Sequence, residues 1–372
     1  MKKKKIIVSV ISELTTDQRV IRICTTLEQM GFEVFVIARA LKGAMPLGEY
    51  KFKASRISCF FKKGILAYTE FNIKLFIKLL FSKTDFLLAN DLDTLTPNFI
   101  ISKIKNKTLF YDTHEYFTGV PELTQSPFKQ KVWQKLEDLM LPRIKYLYTV
   151  NDSVKNKYKS IYPTTHFKII RNIPPKIMIE PYPIPKHWEG KIILMMQGIG
   201  INPGRGGMEL LLAFNQLPQN YQLVYIGGGL EWKDIKDKRD ALGLTQRVDM
   251  LEKLPPEQLK KYTPLAHIGF TLDGFENENY LFNLPNKIFD YIHAGVPVIA
   301  TPIPEVKKIV EQYQIGFCLK NTNPKEMATA IEQFIINSSY YNTCKQNTIK
   351  AAEVLCWQNE QEKLIEIYKP FL

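Results

Sequence analysis

The sequence predicts an α/β protein of two doubly wound domains, each built on a parallel sheet. Three observations carry that expectation. From residue 5 onward, short runs rich in Ile, Val, Leu and Phe alternate with stretches of helical periodicity. Residues 173–189 then gather Pro174, Pro175, Pro181, Pro183 and Pro185, a density that no helix or central strand accepts. Beyond them the same alternation restarts, and 372 residues are enough to fill two separate cores.

The elements follow in order. Lys5-Ile6-Ile7-Val8-Ser9-Val10-Ile11 reads as a buried strand, the loop Ser12 to Asp17 follows, and a helix from about Arg19 to Met30 ends at Gly31. A second strand, Phe32 to Ile37, completes a βαβ opening. Phe60 to Phe81 mixes aromatics, aliphatics and lysines at helical spacing. It reads as a domain helix with one core face and solvated lysines, or as an interfacial helix resting on anionic lipid. Further strands are expected at Phe86–Ala89, Thr108–Tyr111 and Tyr146–Val150. After the Pro-rich linker come the strand Ile192–Met196, a Gly-containing loop, a helix Met208–Gln216, the strand Gln222–Ile226, Gly227-Gly228-Gly229, and a strand near His267–Phe270. Asn283 to Ala294 reads as a helix, with Pro285 in its first turn and Gly295 as the left-handed residue past its end, feeding a buried strand through Val298-Ile299-Ala300. The stretch Ala351 to Tyr368 is apolar at helical spacing and packs on one of the two domains.

Charge is unevenly placed. Residues 1–185 hold 30 Lys+Arg against 16 Asp+Glu, whereas residues 186–372 hold 20 against 21. A basic half-molecule attracts anionic lipid, anionic glycan or nucleic acid. No zinc-finger spacing or other nucleic-acid signature accompanies it, so a membrane surface or an anionic acceptor ranks above nucleic acid, which is not expected as a partner. The five cysteines, Cys24, Cys59, Cys318, Cys344 and Cys356, are scattered and without metal-site spacing, as in a cytoplasmic protein with reduced thiols. The lysines at residues 2–5 precede only six apolar residues, too few for an export signal. No apolar run approaches the roughly 18 residues of a membrane span.

Three segments carry chemistry. The start of the helix in the segment from Asn283 offers free N–H groups and a positive dipole end to a phosphate, with Lys287 as a mobile cation beside them. Asp290, three residues on, is placed to accept hydrogen bonds from ribose hydroxyls, and Asn286 and Ile288 belong to the same turn. The second segment is Gln197-Gly198-Ile199-Gly200-Ile201-Asn202-Pro203-Gly204-Arg205-Gly206-Gly207, a strand-to-helix turn. Its glycines Gly198, Gly200, Gly204 and Gly206 let backbone approach a phosphate, and Arg205 neutralises charge there. The third is Tyr111-Asp112-Thr113-His114-Glu115 at a strand end of the first domain, where ligands of such sheets bind. Asp17-Gln18-Arg19 opens the first helix nearby. Asn90-Asp91-Leu92-Asp93 contains Asp-x-Asp, a motif that binds metal in some nucleotide-using folds, but it lies on a first-domain strand end far from the phosphate elements. No metal is expected, and Asp91 and Asp93 shape an acceptor cleft or cap the following helix.

Taken together, these segments resemble the two-domain glycosyltransferases of the GT-B fold, and in particular the retaining family 4 (group 1) enzymes. The resemblance implies two Rossmann-like domains facing a cleft: residues 1–180 for the acceptor, residues 186–354 for the nucleotide sugar, and a C-terminal helix at about 355–372 crossing back to the first. It places His114 beside the transferred sugar and assigns Arg205 and Lys287 to the leaving diphosphate. The donor is also held by Gly198, Gly200, Gly204, Gly206, Asn286, Ile288 and Asp290, with base contacts near Leu251 to Leu254. Asp17, Asp91 and Glu115 lie toward the acceptor. The chain departs from the family signature at two places: Asp290 stands for a Glu, and Phe282, eight residues earlier, stands where many members have another. Glu276 or Glu278 is a candidate substitute.

The expected activity is retaining, metal-independent transfer of a hexose or related sugar from a nucleoside diphosphate to a hydroxyl of a growing surface glycan or lipid-linked acceptor. The expected location is cytoplasmic, peripheral on the inner face of the membrane. A nucleotide-sugar 2-epimerase shares the architecture but needs several carboxylates around the sugar. A non-catalytic nucleotide-sugar-binding relative draws support from Phe282 and Asp290. A Rossmann dehydrogenase is disfavoured, since no strand is followed by Gly-x-Gly-x-x-Gly.

Overall fold

The computed structural model of the chain describes residues 3–41, 43–275 and 278–372. Strands and helices alternate throughout and form two compact units. One runs to Asn172 and includes Asn359–Leu372; the other is Ile173–Gln358. In the first unit β1 (Lys5–Ser9), β2 (Glu33–Arg39), β3 (Lys53–Ile57), β4 (Phe86–Asn90), β5 (Thr108–Thr113), β6 (Tyr146–Thr149) and β7 (Phe167–Ile169) form one sheet in the order β3-β2-β1-β4-β5-β6-β7. The second unit contributes β8 (Ile192–Gly198), β9 (Tyr221–Gly227), β10 (Val248–Glu252), β11 (Ile268–Thr271), β12 (Val298–Ala300) and β13 (Gly316–Cys318), in the order β10-β9-β8-β11-β12-β13. All pairings are parallel.

Helical crossovers cover both faces of a parallel sheet, so its central strands are apolar without alternation. Ile6, Ile7 and Val8 of β1 are fully buried, and all of β4 is buried. Strand order reverses between β1 and β4 in the first sheet and between β8 and β11 in the second. At such a reversal the loops leaving the two central strands diverge to opposite faces and leave a crevice at the carboxyl ends. The loops that follow β1, β4, β8 and β11 are therefore where a ligand site is to be looked for first.

The expected central strands and the strand at Val298–Ala300 are present. The four strands that the pattern did not announce, β3, β7, β10 and β13, are the four edge strands. An edge strand has one neighbour and a wet side, and polar runs such as Lys53-Ala54-Ser55-Arg56 hide it from an apolar-run reading. Ala351 to Tyr368 is not one helix: a helix Ser338–Val354 stops, Leu355 and Cys356 intervene, and a helix Trp357–Tyr368 begins. Its end packs in the first unit, where the Tyr368 ring stacks on Phe110 with centroids 4.2 Å apart and Tyr148 and Tyr368 share a hydroxyl contact of 3.1 Å. Among the described residues no helix is long and apolar enough to cross a membrane.

Candidate functional site

In the second unit the loop after β8 makes its turn with glycines in conformations that other residues adopt only at a cost. Gly198, Gly204 and Gly206 have φ of 141°, 78° and 74°. Gly206 is the N-cap of the helix Gly207–Phe214, and a Cβ there would lie 2.3 Å from Cβ of Leu272. The Arg205 amide donates to the Asn202 carbonyl at 3.0 Å, which closes the turn and sends the Arg205 side chain toward the segment after β11. Its guanidinium lies over the Tyr280 ring, 4.7 Å from the centroid, and Nη1 is 3.6 Å from Oδ1 of Asp273. A Cβ on Gly200 would sit 3.9 Å from that same Nη1.

Asp273 is fully buried. Its Oδ2 accepts from Asn283 Nδ2 at 3.0 Å and its carbonyl from Thr301 Oγ1 at 2.6 Å, while Oδ1 has the Arg205 ion pair but no hydrogen-bond partner among the described residues. Lys287 completes the group. Burial pushes its ammonium below the usual range, Asp273 draws it up and Arg205 pushes it down again. Two cations thus feel one buried carboxylate at the point where the strand order reverses.

The helix bearing Lys287 spans Asn286–His293. The helix begins three residues after Asn283, and Pro285, expected inside the first turn, is the N-cap instead, extended at φ −61° and ψ 134°. Gly295, at φ 71°, is the left-handed residue past the end. Asn286 is exposed at the tip. Ile288 differs from expectation, because its side chain is core, packed with Phe289, Ile292 and Val298, and its amide donates to the Pro285 carbonyl at 3.2 Å. Asp290 Oδ2 accepts from Gln197 Nε2 at 3.1 Å, and Gln197 Oε1 accepts from Thr263 Oγ1 at 3.0 Å. Asp290 also lines a shallow depression with Pro174, Pro175, Lys260, Thr263 and His293. Leu254 lies apart from these groups, half-buried against the cluster of Trp188, Ile193, Met195, Val224 and Ile226.

The first unit has its own charged cluster at its reversal point. Arg19 Nε and Nη2 donate to the two oxygens of Asp112 at 2.8 and 2.6 Å, and Nη1 donates to the Ile170 carbonyl at 2.6 Å, all buried. His114 follows β5 with both ring nitrogens against carboxylates: Nδ1 is 3.1 Å from Asp91 Oδ2 and Nε2 is 3.3 Å from Asp112 Oδ2. Burial alone would lower the His114 pKa, but Asp91 and Asp112 outweigh it and raise it to about 9. The imidazole is thus a cation at neutral pH with both nitrogens engaged. Burial acts to raise Asp112 as well, yet Arg19 and His114 hold it below the ordinary value.

Asp91 corrects the capping expectation. It occupies the N-cap of the helix Leu92–Ile104 at φ 57° without a side-chain cap bond, and its Oδ1 accepts instead from the His114 amide at 2.8 Å. A left-handed non-glycine conformation costs about 1 kcal/mol or more, so the carboxylate is held toward His114 against a backbone preference. Asp93 is buried, and burial together with Asp91 pushes it well above the carboxylate range. Asp17 is a helix cap: Oδ1 accepts from the Val20 amide at 3.1 Å and Oδ2 from the Ser12 hydroxyl. The Glu115 carbonyl accepts from Thr113 Oγ1 at 2.8 Å. Among the described residues no group of three or more His, Cys, Asp and Glu side chains is placed to hold a metal ion. Glu276 lies outside the described residues, and the Glu278 side chain is likewise not among those described.

Asp273 and Gln197 went unremarked in the sequence. A single acid in Thr271-Leu272-Asp273-Gly274 carries no spacing signal; only its place two residues after a central strand end marks it. The Arg19–Asp112 pair joins residues 93 positions apart, which local pattern does not connect.

Residues 189–351 match the family model described as Glycosyl transferases group 1. Among curated proteins no sequence matches the chain. Solved structures similar over the whole length include the sucrose-phosphate synthase of Thermosynechococcus elongatus, with TM-score 0.79, 14% identity and 99% of each chain covered. The Anabaena protein HepE, solved in complex with UDP-glucose, gives TM-score 0.75 and 16% identity over 99% of this chain and 100% of its own. A putative UDP-N-acetylglucosamine 2-epimerase from Listeria monocytogenes gives TM-score 0.68 and 15% identity, covering 100% of this chain and 97% of its own. Residues 189–351 are thus similar to the group 1 glycosyl transferases, within a chain whose two α/β units have the GT-B fold.

Proposed function

We propose that the chain is a retaining glycosyltransferase of hexosyltransferase type that moves a sugar from a nucleoside diphosphate to a hydroxyl acceptor without a metal. The observation that carries the reading is the Arg205 guanidinium 3.6 Å from the buried carboxylate of Asp273, whose charge also reaches Lys287, beside a glycine turn and at a strand-order reversal. Two cations set around one anion in a largely dry place are what a departing pyrophosphate requires, and they act where a metal acts in other folds. That HepE was crystallised with UDP and with UDP-glucose supports a uridine donor here.

In the proposed step the bond from the anomeric carbon to the β-phosphate oxygen breaks as the acceptor oxygen bonds to that carbon from the same face. A phosphate oxygen takes the acceptor proton. Arg205, Lys287 and the tip of the Asn286 helix stabilise the charge on the leaving diphosphate. Gly198, Gly200, Gly204, Gly206 and Asn286 admit the phosphates, Asp290 meets the ribose and Leu254 flanks the base. For Ile288 only the backbone remains for this task. His114 supplies positive charge, with Asp17, Asp91 and Glu115 on the acceptor's side. The acceptor is a surface polysaccharide, lipopolysaccharide or glycolipid intermediate, reached from the cytoplasmic face of the membrane.

Arg205→Ala and Lys287→Ala are each expected to lower turnover by roughly 10²-fold or more, the scale for losing a preorganised charge stabiliser. Near-normal rates in both, in single-turnover assays with a UDP- and GDP-sugar panel, would reject the assignment. The likeness to the Listeria epimerase keeps a second reading in view. Product analysis separates them: a glycosylated acceptor, an epimerised sugar nucleotide, or, for a non-catalytic relative, neither.

A further inference from the structure

The helix Gly64–Phe81 is apolar on both sides, and only one side is covered. Ala67, Phe71, Leu75 and Leu79, at spacing of four, face the core and are fully buried. On the wheel the opposite face carries Leu66, Ile73 and Ile77, with Phe81 at its edge; these are 54%, 55%, 49% and 83% exposed. A helix that is apolar all round belongs inside a core or against lipid.

The neighbouring surface repeats the pattern. The helix Pro127–Met140 exposes Phe128 and Leu139 on its outward stripe. Its Trp133 meets Tyr68 of the first helix edge to face, with ring centroids 5.7 Å apart, and both helices are crossovers in the same direction along the sheet, from β3 to β4 and from β5 to β6, which right-handed connection puts on one side of it. Exposed lysines surround them: Lys63 and Lys83 at the two ends of the first helix, and Lys129, Lys131 and Lys135 on the second. Glu70 does not offset these, because its carboxylate is taken by the Phe60 and Phe61 amides and by Lys74. The unit's positive balance argues against a second copy of the chain as the covering partner, since two such faces would bring lysines against lysines. Anionic headgroups above an acyl layer complement both the charge and the apolar stripe.

We propose that the outward faces of these two helices dock on an anionic lipid bilayer. The inference rests on the proposed function in one respect, namely that a membrane-borne acceptor gives the docking its purpose, and it names the surface that does the work.

The test is co-sedimentation of the full chain, without any nucleotide sugar, with vesicles of phosphatidylcholine alone and of phosphatidylcholine mixed equally with phosphatidylglycerol. Binding is expected to the mixed vesicles and to fall by roughly tenfold or more in the Ile73→Glu/Ile77→Glu variant. Both positions are exposed, and an unchanged thermal unfolding curve confirms that the variant is folded. Lys63→Glu/Lys83→Glu is expected to weaken binding to the mixed vesicles only. The proposal is overturned if neither vesicle sediments the protein, or if the Ile variant binds as well as the parent. It is also overturned if light scattering shows a dimer that the Ile variant dissolves, which would make the face an interface between copies. Because no donor is present, failure here leaves the donor site standing. Failure of nucleotide binding likewise leaves this surface standing.

Discussion

In the proposed donor site Asp273 attracts the same two cations that a pyrophosphate would, so there it would compete with the ligand while holding Arg205 in place. Removing its charge without removing its shape separates the two effects. Asp273→Asn keeps a side-chain oxygen for Asn283 to meet, leaves the Thr301 bond to the backbone carbonyl in place and ends the competition, so UDP affinity measured by calorimetry is expected to rise by roughly threefold to tenfold, the scale of one partly screened charge. An unchanged or weaker affinity would mean that the carboxylate positions Arg205 more than it opposes the phosphate. His114 makes a prediction of the other kind. Its pKa is raised to about 9 from an ordinary 6.5, so the folded chain binds more protons than the unfolded one between those values. The stabilisation is fully present below about 6.5 and is lost as the pH rises through about 9. Urea unfolding of the parent should therefore weaken across that window, and His114→Gln should lose the His114 part of the slope. A parent whose stability is flat across the window would show that the two carboxylates do not hold the imidazolium as drawn.

The turn after β8 depends on backbone shapes that only glycine adopts cheaply, and two glycines of the second unit allow the cost to be divided. Gly243 has φ 67° with nothing within 4 Å of a built Cβ, whereas Gly206 has φ 74° and Cβ of Leu272 2.3 Å away. Gly243→Ala is expected to cost about 1 kcal/mol, the penalty of the conformation alone, and Gly206→Ala about 3 kcal/mol or more, since Leu272, just past the end of β11, is held in the core. Equal losses in denaturant unfolding would refute the close approach. Such elements were also the legible part of the chain. Gly295 is where a helix end needs a left-handed residue, Pro285 is the N-cap of the helix rather than inside its first turn, and the central strands carry the apolar runs that burial on both faces requires. What local pattern missed is explained by distance and exposure. The edge strands β3, β7 and β10 carry charged residues because one side is wet, and β13 is only three residues long. Arg19 finds Asp112 through the order of the sheet, not through spacing. The helix Gly64–Phe81 showed its mixture of lysine and aliphatic residues, but which apolar face the core would leave bare became visible only once Phe71 and Leu75 were seen buried.

Across the whole molecule, the chain leaves its first unit at Asn172 and returns to it at Asn359. The returning segment is short, yet it closes an aromatic core. Tyr368 is fully buried between Phe32 and Phe110, and Phe371 lies 5.4, 5.2 and 5.1 Å, ring to ring, from Phe86, Phe110 and Tyr146. These partners sit on or beside β2, β4, β5 and β6, so the last residues of the chain cover the centre of the first sheet. Losing one such ring costs about 3 to 5 kcal/mol, a large share of the roughly 5 to 15 kcal/mol by which a domain is stable. Tyr368→Ala should therefore destabilise the first unit by that amount, and a chain ending at Gln358 should leave it with an uncovered sheet. The second unit keeps its own clusters around β8, β9 and β12, none of which draws on residues after Gln358. Native-state hydrogen exchange reads the two units separately. In the shortened chain the amides of β1, β4 and β5 are expected to lose protection by orders of magnitude while those of β8 and β9 keep theirs. Loss in both sheets together would mean that the two units unfold as one cooperative body, and that the returning segment stabilises the entire chain rather than one half.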